Sequence, residues 1–111
     1  MIHIIRSRAT KQQVKEMLEE LEDSIKLVVD IRRDILAGGG ALHTDCERKL
    51  FDDGSRQEDI WGAGWEPEIR QITDDSMINI RPGQNNFSRI ITDPAIRDRV
   101  QEIIRQLLEG V

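Results

Sequence analysis

The sequence predicts an α+β domain in which a largely antiparallel sheet of five or six strands packs with three helices. Three observations carry this expectation. Stretches opening at Thr10, Thr44 and Asp93 each set apolar residues at helical spacing behind an N-terminal cap. Between Ile25 and Ala37 the apolar period falls to two and the chain turns back on itself. Hairpin-type links then outnumber crossovers, which favours an antiparallel sheet over a doubly wound parallel one. A chain of 111 residues suits one domain spanning residues 1–111, burying roughly two-thirds of its unfolded surface.

Taken in order, Ile2, Ile4 and Ile5 form a first strand. Thr10-Lys11-Gln12-Gln13 is a capping box, and Val14, Met17, Leu18, Leu21 and Ile25 continue it as one apolar helical stripe. Glu16, Glu19, Glu20, Glu22 and Asp23 make the solvated face. From Ile25, Leu27, Val29 and Ile31 point one way and Val28, Asp30 and Arg32 the other. Arg33-Asp34 turns the chain, Ile35-Leu36-Ala37 returns as the partner strand, and Gly38-Gly39-Gly40 ends it as a tight turn. Thr44-Asp45-Cys46-Glu47 is a second capping box, predicting a helix from Asp45 to about Asp53 with Gly54 as left-handed terminator. Leu42, Cys46, Leu50 and Phe51 face inward from it. Ile60 to Trp65 and Ile69 to Thr73 are extended, and Asp74-Asp75 is a turn. Met77 to Arg81 is a strand stopped by Pro82-Gly83. Asp93 caps the last helix, Pro94 takes its first position, and Ile96, Val100, Ile103, Ile104 and Leu107 form its stripe.

Composition narrows the function classes. Sixteen basic residues against 21 acidic ones give a formal charge of -5, the wrong sign for a general nucleic-acid binder or a protein held electrostatically on an anionic membrane. No apolar run is long enough to span a bilayer, and Met1 to Arg6 places its charge after the apolar residues, unlike a signal peptide. The single cysteine, Cys46, excludes an internal disulfide and a cysteine-rich zinc site. A cytoplasmic protein is expected.

Gly38 and Gly40 between a strand and a helix suggest a phosphate loop, but His43 stands at the third glycine position and no lysine follows. His43, Asp45, Cys46 and Glu47 all have ligand chemistry, yet their spacing fits no metal frame, and Asp45 and Glu47 suit the helix dipole. No metal and no cofactor is expected. Acidic neighbours work against a Cys46 thiolate, so Cys46 belongs to the core. Gly54-Ser55 followed by Asp59 has the opening of a nucleotidyltransferase site, but Trp61 stands where the second carboxylate is needed. No Gly-x-Ser-x-Gly elbow occurs. The informative stretch is Ser76 to Thr92, which holds no acidic residue. Asn79 and Arg81 share a face of the predicted strand, and Gln84, Asn85, Asn86, Ser88 and Arg89 follow. Arginine plus amides without carboxylates suits a carboxylate, a phosphate or a peptide backbone. The alternative is a loop whose side chains bond its own backbone.

The ordered segments Leu42-His43-x-Asp45, Gly54-Ser55-x-Gln57-x-Asp59-x-Trp61-Gly62 and Asp75-Ser76-x-Ile78-Asn79-Ile80-Arg81-Pro82 resemble a small bacterial family known only as a domain of unknown function. The resemblance covers nearly the whole chain and implies a bacterial, single-domain, cytosolic protein with no established reaction. Carried over residue by residue, it marks His43, Asp45, Gln57, Asp59, Trp61, Asn79, Arg81 and Gln84. The chain departs from the pattern at Ala63-Gly64-Trp65, where an asparagine is expected, and in the loop Gly83-Gln84-Asn85-Asn86-Phe87. Two functions follow. One is a non-enzymatic binding or regulatory module that uses its sheet edge or the Asn79-Arg81-Gln84 region and pairs with itself as a homodimer, with Trp61 and Trp65 serving either as interface residues or, equally, in the core. The other is a small hydrolase or transferase with His43 as general base, Asp45 or Asp59 orienting it and Arg81 holding an anion. The geometry that separates them is whether these side chains line one pocket or pair internally.

Overall fold

The period-two stretch folds as the hairpin at the centre of the sheet. The computed structural model describes residues 1–111, and in it β2 (Ile25–Asp30) pairs antiparallel with β3 (Ile35–Gly40). The turn between them needs no glycine because Asp30 fastens it. Its carboxylate, wholly buried, accepts from the N–H groups of Arg32 and Arg33 at 2.9 and 3.1 Å, and Asp34 takes the left-handed conformation at φ 59°. Arg33 Nε (3.0 Å) and Ser55 Oγ (2.7 Å) also donate to it. Burial pushes the Asp30 carboxyl up, but these bonds outweigh that and hold it below its ordinary value.

Five strands make one antiparallel sheet in the order β1-β3-β2-β4-β5, where β1 is His3–Ile5, β4 is Ile60–Glu66 and β5 is Gln71–Thr73. Two helices, α1 (Lys11–Met17) and α3 (Pro94–Leu108), cover one face, packing Val14, Met17, Val100, Ile103 and Ile104 on Leu27, Val29, Leu36, Trp61, Ala63 and Trp65. The helix α2 (His43–Asp52) covers the other with Cys46 and Leu50 on Val28, Ala37 and Ile60. The single domain is thus α+β, and no helix in it is long and apolar enough to cross a membrane. α3 starts as expected, the Asp93 carboxylate accepting from Ala95 N–H at 2.9 Å.

Five expectations are corrected. The first helix ends at Leu18 rather than running to Ile25, because the chain must reverse into β2 and does so through Glu22 at φ 65°. Gly38 to Gly40 are not a turn but the end of β3. Gly39 is a bulge at φ 106°, where a Cβ would lie 2.1 Å from the Met1 carbonyl oxygen. The α2 cap is Leu42, not Thr44. A two-residue link leads straight from β3 into the helix, so Asp45 rather than Glu47 reaches back to the cap, accepting from Leu42 N–H at 3.2 Å. Leu42 and Phe51, accordingly, stay exposed. Finally, Met77 to Arg81 is not a strand. It forms a single 3-10 turn, Met77–Asn79, followed by a lone bridge between Arg81 and Asn86.

Candidate functional site

The missing sixth strand is replaced by two side chains. Alternate residues of an antiparallel strand turn N–H and C=O to the same edge. On β4 the outer edge carries Ile60, Gly62, Gly64 and Glu66, and β5 covers only the last two. Asn79, fully buried, covers Gly62: its Oδ1 accepts from Gly62 N–H at 2.8 Å and its Nδ2 donates to Gly62 O at 3.0 Å. The same Nδ2 reaches Asp74 O (2.9 Å) and Arg89 O (3.2 Å), tying both ends of the loop. Arg81 covers Ile60, donating through Nη2 to its carbonyl. Its remaining N–H groups go to Ile78 O (3.0 Å), Gln57 O (2.6 Å) and Gln84 Oε1 (3.2 Å), and the guanidinium lies 4.4 Å from the Trp61 ring centroid. Asn86 completes the frame, accepting from Thr92 N–H and Oγ1 and donating to the carbonyls of Asn79, Ser88 and Ile90. Burial lowers the guanidinium's pKa and raises the carboxyl of nearby Glu47, each opposed by the other's charge.

Seven of the eight marked residues therefore do not face a common pocket. Asn79, Arg81 and Gln84 have their groups engaged inside the chain, Gln84 also donating to Glu58 O at 3.0 Å. Gln57 contributes its backbone carbonyl. Asp59 pairs with Arg32 at 3.0 Å and Asp45 caps α2, so neither orients His43. Trp61 and Trp65 are core residues under α1 and α3, each 1% exposed and with an indole N–H that finds no partner, and not surface anchors.

His43 is the exception. Its ring stands between two adjoining hollows, of about 350 and 150 Å³, which share Lys26 and Asp75. The larger has apolar walls from Leu42, Met77 and Ile78, with Thr44 at the α2 start and the Asp75–Arg89 ion pair (2.7 Å) at its rim. Ala63 O can only accept, so the 2.8 Å contact makes His43 Nε2 the donor and leaves Nδ1 as the acceptor of the neutral ring. No group in the chain bonds Nδ1. Burial holds the imidazole below its usual pKa and Lys26 adds to this, against the Ala63 bond and Asp75. His43 is thus neutral at pH 7. Lys26 forms no ion pair of its own, although it stands in both hollows.

A family model described as a protein of unknown function, DUF5674, matches residues 3–107. The chain belongs to the DUF5674 family. No curated protein and no solved structure matches it. In this DUF5674 chain the cleft is assembled from β2, the start of α2 and two parts of the loop before α3, and Lys26, Thr44, Met77 and Arg89 fall outside the motif positions that the sequence marks. Only the absence of acid from Ser76 to Thr92 signals that region. The Asp30–Arg33–Ser55 cluster also escapes the sequence reading. Its one sign is a carboxylate at the buried end of a strand whose turn lacks glycine.

Proposed function

We propose that this chain is a non-enzymatic binding module whose ligand is a small molecule with an apolar body and an anionic end, held in the cleft beside His43. One observation carries the reading: a hollow of about 350 Å³, within the size range of small-molecule sites, lies beside an imidazole kept neutral and a lysine without a carboxylate partner. Lys26 supplies the charge for the anion. Nδ1 of His43 accepts from a ligand donor, and Leu42 and Met77 offer exposed apolar surface for the body. Asn79 and Arg81 serve this site from behind, by fixing the loop that carries its Ser76–Ile78 wall. The hydrolase reading has less support, since Asp45 and Asp59 are bonded elsewhere and a carbonyl, not a carboxylate, orients His43.

Thermal unfolding with hexanoate and phenyl phosphate, against hexanol and phenol, tests the reading. A ligand that prefers the native state raises stability by about 2.7 kcal/mol at a hundredfold excess over Kd. The anionic member of each pair is expected to raise the melting temperature, and Lys26→Ala to remove the rise. The same rise from the neutral partner, or none from any compound, refutes it.

A further inference from the structure

The loop from Ser76 to Thr92 has its polarity turned inside out. Ser76, Asn79, Arg81 and Asn86 are buried, the two asparagines being 0% and 2% exposed, whereas Met77, Ile80, Phe87 and Ile90 are 65%, 39%, 70% and 41% exposed. The inward half is explained, because it completes the sheet edge. The outward half is not. Ile80 and Phe87 flank the Arg81–Asn86 bridge and stand beside each other across it. Asn86 Nδ2 holds the Ile90 carbonyl at 3.0 Å, and Ile80 N–H donates to Met77 O at 3.1 Å, so the backbone that carries Ile80, Phe87 and Ile90 is fixed, while Met77 lines the His43 cleft. Contiguous exposed apolar surface on a rigid support is the usual mark of a docking face.

We propose that this platform is the interface through which two copies of the chain pair. Charge selects that occupant. The chain carries -5 overall, and the segment after α1 presents exposed Glu19, Glu20, Glu22 and Asp23, which repel the same segment of a second copy. Between Asp75 and Thr92 the exposed charges are one acid and one base, Asp75 and Arg89, both about half exposed. Asp75 and Arg89 pair with each other at 2.7 Å, so the rim is locally neutral and does not repel its own copy while the apolar centre meets itself. The side-chain and backbone bonds of Asn79, Arg81 and Asn86 fix the platform beforehand, which removes the ordering cost a free loop imposes on association. The pairing face adjoins the His43 cleft, whose lining includes Asp75, Met77 and Arg89, but its apolar centre of Ile80, Phe87 and Ile90 lies outside that lining.

Size-exclusion chromatography with light scattering, from low to high micromolar concentration, tests the pairing. Wild type is expected to approach twice the 12.8 kDa of one chain. Phe87→Asp should weaken the dimer at least ~10-fold, as for a central hot-spot residue, with an unchanged melting temperature because Phe87 touches solvent over most of its surface. Ile69→Asp, on the turn joining β4 and β5 and 61% exposed, should dimerise as wild type does. If Phe87→Asp fails to fold, Phe87→Ser serves as the milder variant. A wild type that stays at 12.8 kDa at high micromolar concentration overturns the proposal, even where the platform binds some other protein. So does a dimer that Phe87→Asp or Phe87→Ser leaves intact.

Discussion

Replacing Arg81 by lysine keeps the charge and removes the plane, and the structure turns that into a number. The guanidinium serves the carbonyls of Gln57, Ile60 and Ile78 and the amide oxygen of Gln84 from three nitrogens spread around one plane. An ammonium holds its three N–H groups at one point, so it cannot reach those three carbonyls together. At least two charged hydrogen bonds are lost, at about 1.5 kcal/mol each, and the stack on Trp61 is weakened by about 0.5 kcal/mol. Because Arg81 is only 7% exposed, water does not replace the missing partners. The expected loss is about 3–4 kcal/mol, which for a domain of this size lowers the melting temperature by roughly 12–16 °C. Gln84→Ala removes one exposed amide and should cost no more than about 1 kcal/mol. Circular-dichroism melts and urea titrations of the three proteins give the ranking. A shift below about 3 °C for Arg81→Lys would show that the guanidinium does not hold the β4 edge.

Gly62→Ala puts a Cβ 2.5 Å from Ser76 Oγ and 2.6 Å from Ser76 Cβ, so the loop must lift off β4. Urea unfolding should show a loss of about 2–3 kcal/mol, and wild-type stability in the variant would contradict the docking of the loop there. His43 is held below its free pKa of about 6.5, so in the window beneath that value the unfolded chain takes up a proton that the folded one does not. Its contribution is complete above the unfolded pKa and is lost as pH falls into that window. Glu47, whose carboxyl is raised, has the opposite slope but is common to wild type and variant, so His43→Gln should flatten the wild-type decline between pH 7 and 5. Parallel curves for the two proteins would contradict a buried neutral imidazole.

How far the sequence reveals this molecule depends on whether the signal is local. α3 is legible from Asp93-Pro94 and its stripe, and the alternation of Leu27, Val28 and Val29 across β2 holds because both faces of the sheet are covered. Met77 to Arg81 misleads for an instructive reason. Its alternation is real, but periodicity does not say which half is inside, and here Asn79 and Arg81 go in while Ile80 stays out. A primary amide presents the same donor and acceptor as a peptide group, so Asn79 does for Gly62 what a strand backbone would do. The glycines of β3 mislead because their need is tertiary: Cβ atoms at Gly38 and Gly40 would crowd Met17 and Cys46, which the chain brings there from elsewhere. The cleft has no spacing to find, since its walls come from β2, α2 and two separate parts of one loop. Of the eight site residues carried over from the motifs, His43 alone reaches it.

The placement of Arg81 behind that wall decides how any binding experiment on it must be interpreted. The Ser76–Ile78 wall keeps its position because Asn79 is seated on Gly62, and the turn carrying Asn79 is held from its far side by Arg81 donating to Ile78 O and Ile60 O. Loosening Arg81 therefore displaces Met77 and Ile78, which line the cleft, without touching a ligand there. Arg81→Lys should weaken both folding and binding, with the binding loss recovered when stability is restored by other means. Lys26→Ala should weaken binding alone, because its ammonium forms no ion pair that folding depends on. Each variant must be measured by melting and by titration, since the titration alone assigns a contact to both residues and only the melt separates the one that shapes the cleft from the one that faces into it.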